Sequence, residues 1–174
     1  MKNYRMITMG CAMILAVSAI NAQTLADAKR LLSEEQYTKA VAITKALCKT
    51  DPANAEYVYF LGKIYFENNI NDSAAHFFGQ AGKMTPETQF SLLAAGRSSL
   101  MSKNKEGAKE AFEKAIGLNK KNPDAVIEAC DAAVKHDTAM ISWVKATFVK
   151  YEKICKKSAG YYLVQGDISQ SQGN

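Results

Sequence analysis

The 174-residue chain carries a formal net charge of +5, with 48% hydrophobic and 22% charged residues. The balance is only mildly basic, which argues against nucleic acid or anionic lipid as a partner, and four cysteines without a CxxC pair give no redox motif. In chain order, the first element is not part of the fold. Lys2 and Arg5 precede an apolar run over residues 6–20, and Asn21-Ala22-Gln23 follows as a small-residue exit. That layout predicts a secretory signal peptide over 1–22, cleaved after Ala22. The run of about 15 residues is shorter than the roughly 20 that span a bilayer, so no membrane span is expected after cleavage. Cys11 lies in a poor lipobox, Thr8-Met9-Gly10-Cys11, and is not read as a lipidation site. Cleavage removes Lys2 and Arg5 and no acidic residue, taking the formal charge from +5 to +3.

The remainder, 23–174, reads as helix throughout, at about 24–35, 38–50, 54–68, 72–84, 87–102, 105–120, 123–136, 138–157 and 159–172, with no strand required. Asp51-Pro52, Thr85-Pro86 and Asn122-Pro123 break the chain between pairs, and residues 68–73 offer capping side chains inside one. A period of 34 residues runs through these elements: Ala28, Gly62 and Gly96; Ala40, Ala74 and Ala108; Phe78 and Phe112; Ala81 and Ala115; Pro52 and Pro86. A unit of this size cannot bury its apolar face alone, so neighbours must stack. Ala74, Phe78 and Ala81 share one helical face; the small residues let two helices approach and Phe78 fills the space between them.

The pattern Val58-x2-Leu61-Gly62-x2-Tyr65, Ala74-x3-Phe78, Ala81, Pro86 resembles the tetratricopeptide repeat, lacking only its first aromatic. Looser copies run through Leu92, Gly96, Ala108, Phe112 and Ala115, and through Ala28, Leu31, Tyr37, Ala40 and Pro52, with Thr44 in place of an aromatic. The resemblance implies an all-α fold, a right-handed superhelical solenoid of antiparallel helix pairs, with repeats at about 23–54, 55–88, 89–122, a degenerate 123–158 and a partial 159–174. In the degenerate repeat Ser142 and Ala146 occupy the expected Ala and aromatic positions, while Trp143, Phe148 and Tyr151 offer alternative core material. Residues 158–167 resemble a fifth first helix with Gly166 in the small-residue role. Its Tyr161, Tyr162, Leu163 and Val164 are expected to leave an uncovered apolar surface, as in a piece of a longer solenoid; the alternative is that this lone helix serves as a terminal cap.

Three cysteines, Cys48, Cys130 and Cys155, survive cleavage; Cys48 and Cys130 stand where helix-packing small residues belong and read as buried thiols. His76 and His136 have no partners at metal-ligand spacing. No catalytic motif, metal site or cofactor is expected: Ser142-Trp143-Val144-Lys145 matches a bare S-x-x-K without its companion motifs. Asp72-Ser73-Ala74 and Asp137-Thr138-Ala139 resemble O-glycosylation acceptors and read equally well as helix caps. Function then falls to a binding surface. In the family that the chain resembles, first helices line a concave groove, and helical spacing puts Tyr59, Phe60, Lys63, Phe66, Phe90, Arg97 and Met101 on or near it. That implies a non-enzymatic, exported protein-binding scaffold of the cell envelope, periplasmic or secreted. Its partner would be a peptide or protein with apolar anchors and an acidic residue facing Lys63 and Arg97. Of the matching carboxylate-clamp positions, Leu25, Lys29, Phe60, Phe90 and Ala94, only Lys29 has suitable character, so that specialised function is not expected. The alternative is a structural piece of a larger solenoid or multidomain protein with no binding activity of its own.

Overall fold

Turn chemistry sets the boundaries of every element in the computed structural model, which describes residues 23–173; the signal-peptide expectation lies outside them. Nine α-helices occur among the described residues, and no strand: α1 Leu25–Ser33, α2 Tyr37–Thr50, α3 Ala55–Glu67, α4 Asn71–Ala81, α5 Gln89–Met101, α6 Lys105–Leu118, α7 Pro123–His136, α8 Ile141–Cys155 and α9 Ala159–Ser171. Helices α1, α3, α5 and α7 begin at side-chain caps, whereas α9 begins at Ser158 without one. Thr24 and Thr88 accept from the backbone N–H of Asp27 and Ser91, which return the bond, and Asn54 and Asn122 cap α3 and α7, the latter with Pro123 in the first turn. The capping expected within 68–73 does not occur: α4 begins after Ile70, which has no capping side chain, and Asp72 sits in its first turn, where a negative charge is favourable.

Within each of the first three pairs the chain reverses through one left-handed residue. Glu35, Asn69 and Lys103 have φ of 56°, 59° and 60° and stand one 34-residue period apart. Around them the N–H groups of Gln36, Ile70 and Asn104 donate to the carbonyls of Leu31, Tyr65 and Ser99, at 2.8, 2.9 and 2.8 Å. This is the Schellman closure, here made three times without glycine.

Consecutive helices from α1 to α8 pack against each other, and α3 also packs on α5, α5 on α7 and α7 on α9. The repeat positions form the core: Ala74, Phe78, Ala81, Ala108, Phe112 and Ala115 are fully buried. A Cβ on Gly62 would come within 2.8 Å of the Phe78 ring, and one on Gly96 within 2.2 Å of the Phe112 ring, so glycine is needed at these two crossings. Ala28, Leu31, Ala40 and Ile43 form a smaller cluster closed by Phe60 and Ile64 of α3.

The fourth pair departs from the period at a definable place. Asp137, one period after Lys103, is extended (φ −157°) rather than left-handed, and caps a 3-10 turn over Thr138–Met140. That turn moves the buried face of α8 by two residues, so Val144 and Phe148, not Ser142 and Ala146, follow Ala108 and Phe112, at a spacing of 36 instead of 34. Ser142 and Ala146 are exposed, and Tyr151, at φ −113°, interrupts the helix near its end. The expected open surface at 161–164 is half corrected. Tyr161, Val164 and Ile168 are buried, with Tyr161 edge-on to Phe148 at 4.8 Å, while Tyr162 and Leu163 stay exposed. Cys130 and Cys155 are buried free thiols and Cys48 is half-buried; burial pushes the Cys130 thiol well up, which makes it inert.

Candidate functional site

An open cavity of about 490 Å³ runs across the first helices. Its walls are Lys29, Leu32 and Ser33 of α1, Glu56, Tyr59, Phe60, Lys63 and Glu67 of α3, Phe90 of α5, Ile127, Glu128, Asp131 and Lys135 of α7, and Gly160, Leu163 and Val164 of α9, with Glu35 and Tyr37 at one end. No side chain of α4, α6 or α8 reaches it. Gly160 permits the last crossing, since a Cβ there would lie 2.8 Å from Ile127.

Four of the seven residues expected in the groove line it: Tyr59, Phe60, Lys63 and Phe90. Phe66, Arg97 and Met101 do not. Phe66 stacks on His136 with ring centroids 4.3 Å apart, and Met101 packs half-buried against the core. Tyr59 and Phe60 are themselves buried to within a few per cent, so most of their area serves the contacts between repeats.

Arg97 is the main correction. The expectation of a cation offered to a partner fails because its side chain is 0% exposed. Its Nε–H donates to the Tyr59 hydroxyl at 3.0 Å and its Nη2–H to Asp131 at 3.0 Å, with Glu128 at 3.5 Å, and the rings of Tyr59, Phe66 and Phe78 surround it at 5.5 to 5.8 Å. Lys63 is likewise engaged, paired with Glu128, which also accepts from the Tyr59 hydroxyl at 2.7 Å. Lys135 bridges Glu67 at 2.7 Å and Asp131 at 3.2 Å. Three cations and three carboxylates thus tie α3, α5 and α7 together beneath the groove. Burial opposes the charge on Arg97, and Tyr59, Asp131 and Glu128 outweigh it, so the guanidinium stays protonated. Burial alone would raise both carboxyls; Lys63 and Arg97 hold Glu128 below the usual range, and Arg97, Lys63 and Lys135 do the same for Asp131. His136, pushed down to about 4 by burial and by Arg97, is neutral. Arg97 Nη1 and His136 Nε2 are buried without a partner.

The sequence carries a signal for this network that spacing on a single helix misses. Lys63, Arg97 and Asp131 stand one period apart, in the same register of α3, α5 and α7. Stacked repeats place such residues side by side, so opposite charges in that column are partners of each other before they are partners of anything else. The lining that remains is apolar with its charges largely paired: Lys29 with Glu56, Lys63 with Glu128, Lys135 with Glu67 and Asp131, and Arg97 with Asp131 from beneath, which leaves Glu35 outside these pairs. Among the described residues no group of three His, Cys, Asp or Glu side chains converges to hold a metal ion, and no helix is long and apolar enough to cross a membrane. In the S-x-x-K match, Ser142 is exposed and Lys145 donates to Gln172 at 3.2 Å.

The fold and groove define an all-α chain of helices packed in adjacent pairs, compatible with a helical repeat protein. No protein-family model matches the chain, and no curated protein is found similar to it.

Proposed function

We propose that this is an exported scaffold of tetratricopeptide type that holds a segment of another protein in the cavity across its first helices. The observation that carries the reading is the composition of that cavity: α1, α3, α5, α7 and α9, with Tyr37 of α2 at one end, present one largely apolar wall, while α4, α6 and α8 stay outside it. The repeated glycine-on-phenylalanine crossings and the thrice-repeated left-handed turn support the tetratricopeptide likeness. The N-terminal layout of residues 1–22 supports export, with the mature chain beginning at Gln23 in the periplasm or outside the cell. The partner differs from the one that helical spacing implied. With Arg97 buried and Lys63 paired, and with Glu56, Glu67, Glu128 and Asp131 paired in turn, Glu35 is the one lining charge among the described residues outside an ion pair, and the chemistry that fits is an apolar segment anchored between Leu32, Phe90 and Ile127, with a basic residue placed only at the Glu35 end.

Affinity capture from cell-envelope extract tests this. Phe90→Asp and Ile127→Asp should each lose a partner that the parent chain and an outer-face variant, Lys109→Glu, retain, with capture made at a temperature where circular dichroism shows every variant folded, since Phe90 and Ile127 also pack against the core. Equal capture by all of them would place binding elsewhere or nowhere, as the purely structural alternative requires.

A further inference from the structure

A second cavity, of about 620 Å³, opens between α6 and α8 and shares no residue with the groove. It lies on the flank of α8 away from α9, since Lys145 on the opposite flank reaches Gln172 at the end of that helix. Its two aromatic residues are not repeat residues. With the two-residue displacement of the fourth pair, Trp143 and Tyr151 stand where α6 has Gly107 and Ala115. Trp143, the one tryptophan of the chain, is half-buried with its ring 5.9 Å from that of Phe112, and its indole N–H donates to the Glu113 carboxylate at 3.4 Å. Two turns further along α8, about 12 Å on, the helix is interrupted at Tyr151, and the Lys150 ammonium lies 5.4 Å over the Tyr151 ring. Lys120, just beyond the end of α6, lines the same cavity. Between these ends the walls are low: Ala146 and Thr147 on α8, and Gly117 on α6, where a Cβ would meet nothing within 4 Å.

The charges here differ from those of the groove. Groove cations and carboxylates mostly cancel one another, whereas Glu113, Lys120 and Lys150 stand in no ion pair among the described residues. The pairs of α6 and α8 lie elsewhere, as in Lys114 with Glu110 and Lys156 with Glu152. We infer that this cleft is a binding site for an acidic oligosaccharide. A sugar ring presents an apolar C–H face and a rim of hydroxyls, which suits the Trp143 ring with the Glu113 carboxylate at its edge. An acid group further along the same ligand meets the ammonium groups of Lys120 and Lys150, whose two charges outnumber the one carboxylate. An acidic peptide fits less well. Both walls are helices whose backbone groups bond internally, so the cleft offers a peptide backbone nothing to pair with. This inference does not depend on the groove reading, because no residue of the groove takes part.

Trp143 fluorescence of the full chain reads the cleft directly. Trigalacturonate and a heparin tetrasaccharide serve as carboxylate and sulfate probes, against neutral maltotriose and hexaglutamate. The expected result is a saturable emission change with at least one acidic saccharide and none with maltotriose or hexaglutamate. Binding should weaken at least about tenfold in Lys120→Gln/Lys150→Gln and in Gly117→Leu, which fills the cleft, and stay unchanged in Lys153→Gln/Lys157→Gln. A Cβ at Gly117 has no neighbour to displace, and circular dichroism melts check that every variant folds as the parent does. No response to either acidic saccharide up to about 10 mM overturns the inference. So does an equal response to maltotriose or hexaglutamate, binding that survives in the cleft variants, or equal loss in Lys153→Gln/Lys157→Gln.

Discussion

Arg97 carries a full charge at a place where water does not reach, and its neighbours decide what that does. A buried cation is tolerated when its partners replace most of the lost hydration, and here Tyr59, Asp131 and Glu128 serve Nε and Nη2 while Nη1 has no hydrogen-bond partner and three aromatic rings surround the group. Removing the guanidinium takes from Asp131 and Glu128 their buried partner and leaves them only Lys135 and Lys63, so Arg97→Leu should lose about 3 kcal/mol in urea unfolding. Adding Asp131→Leu removes one of those charges, and the double variant should recover part of that loss rather than add to it. Additive losses would mean that the pair contributes nothing as a pair. His136 gives the pH dependence at the same scale. Its imidazole titrates at about 4 in the folded chain against 6.5 as the ordinary value, so between those pH values the unfolded chain binds the extra proton and stability falls as pH falls. Glu128 and Asp131, held below 4.5 and 3.8, add losses of the same sign at lower pH still. Urea unfolding should lose about 1–3 kcal/mol between pH 7 and pH 4.5, and His136→Phe, which keeps a ring against Phe66, should flatten that span. A His136→Phe profile as steep as the parent's would assign the acid sensitivity to other groups.

At the scale of the element, the turns between paired helices hold a left-handed backbone at residues of unequal fitness for it. Asn69 adopts that conformation readily, but Glu35 and Lys103 do not, so Lys103→Gly should stabilise by about 0.5–1 kcal/mol and Asn69→Gly by less. Thermal melts showing Lys103→Gly below the parent would contradict the turn geometry. Helix α8 supplies a second contrast. Phe148 is buried and Ala146 exposed, so Phe148→Ala should cost about 3–5 kcal/mol and Ala146→Leu almost nothing, the reverse of what an unbroken 34-residue count implies. These two cases show which parts of the fold the sequence makes legible. Positions such as Gly62, Phe78, Gly96 and Phe112 announce themselves because each must fit the same crossing in successive repeats. The 3-10 turn at Thr138–Met140 does not: two added residues leave composition unchanged and alter only the phase of the helices after them, so Ser142 and Ala146 fall out of register while Val144 and Phe148 fall in. The groove is legible as a location and not as a charge. Helical spacing puts Arg97 near it, and only the column of Lys63, Arg97 and Asp131 shows that its charge is neutralised inside the protein.

Across the whole molecule, stacking converts short local contacts into one long surface. The second, third and fourth pairs each bury alanines and a phenylalanine of their own, the first has Thr44 at that place, α3, α5, α7 and α9 pack on one another in succession, and the cavity runs across them. The proposed role of that cavity is to hold a polypeptide segment against its apolar wall. Occupation of this wall by another protein, on an exported chain, is the central claim. The most direct measurement is site-specific photo-crosslinking in cells exporting the full chain, with the photoreactive residue placed at Leu32, Phe90 or Ile127 of the groove and, for comparison, at Lys109 or Lys114 on the outer helices. The expected result is the same discrete adduct from all three groove positions, on a chain whose mature N-terminus is Gln23, and none from the outer two. Adducts absent from the groove, or identical from groove and outer face, would contradict it.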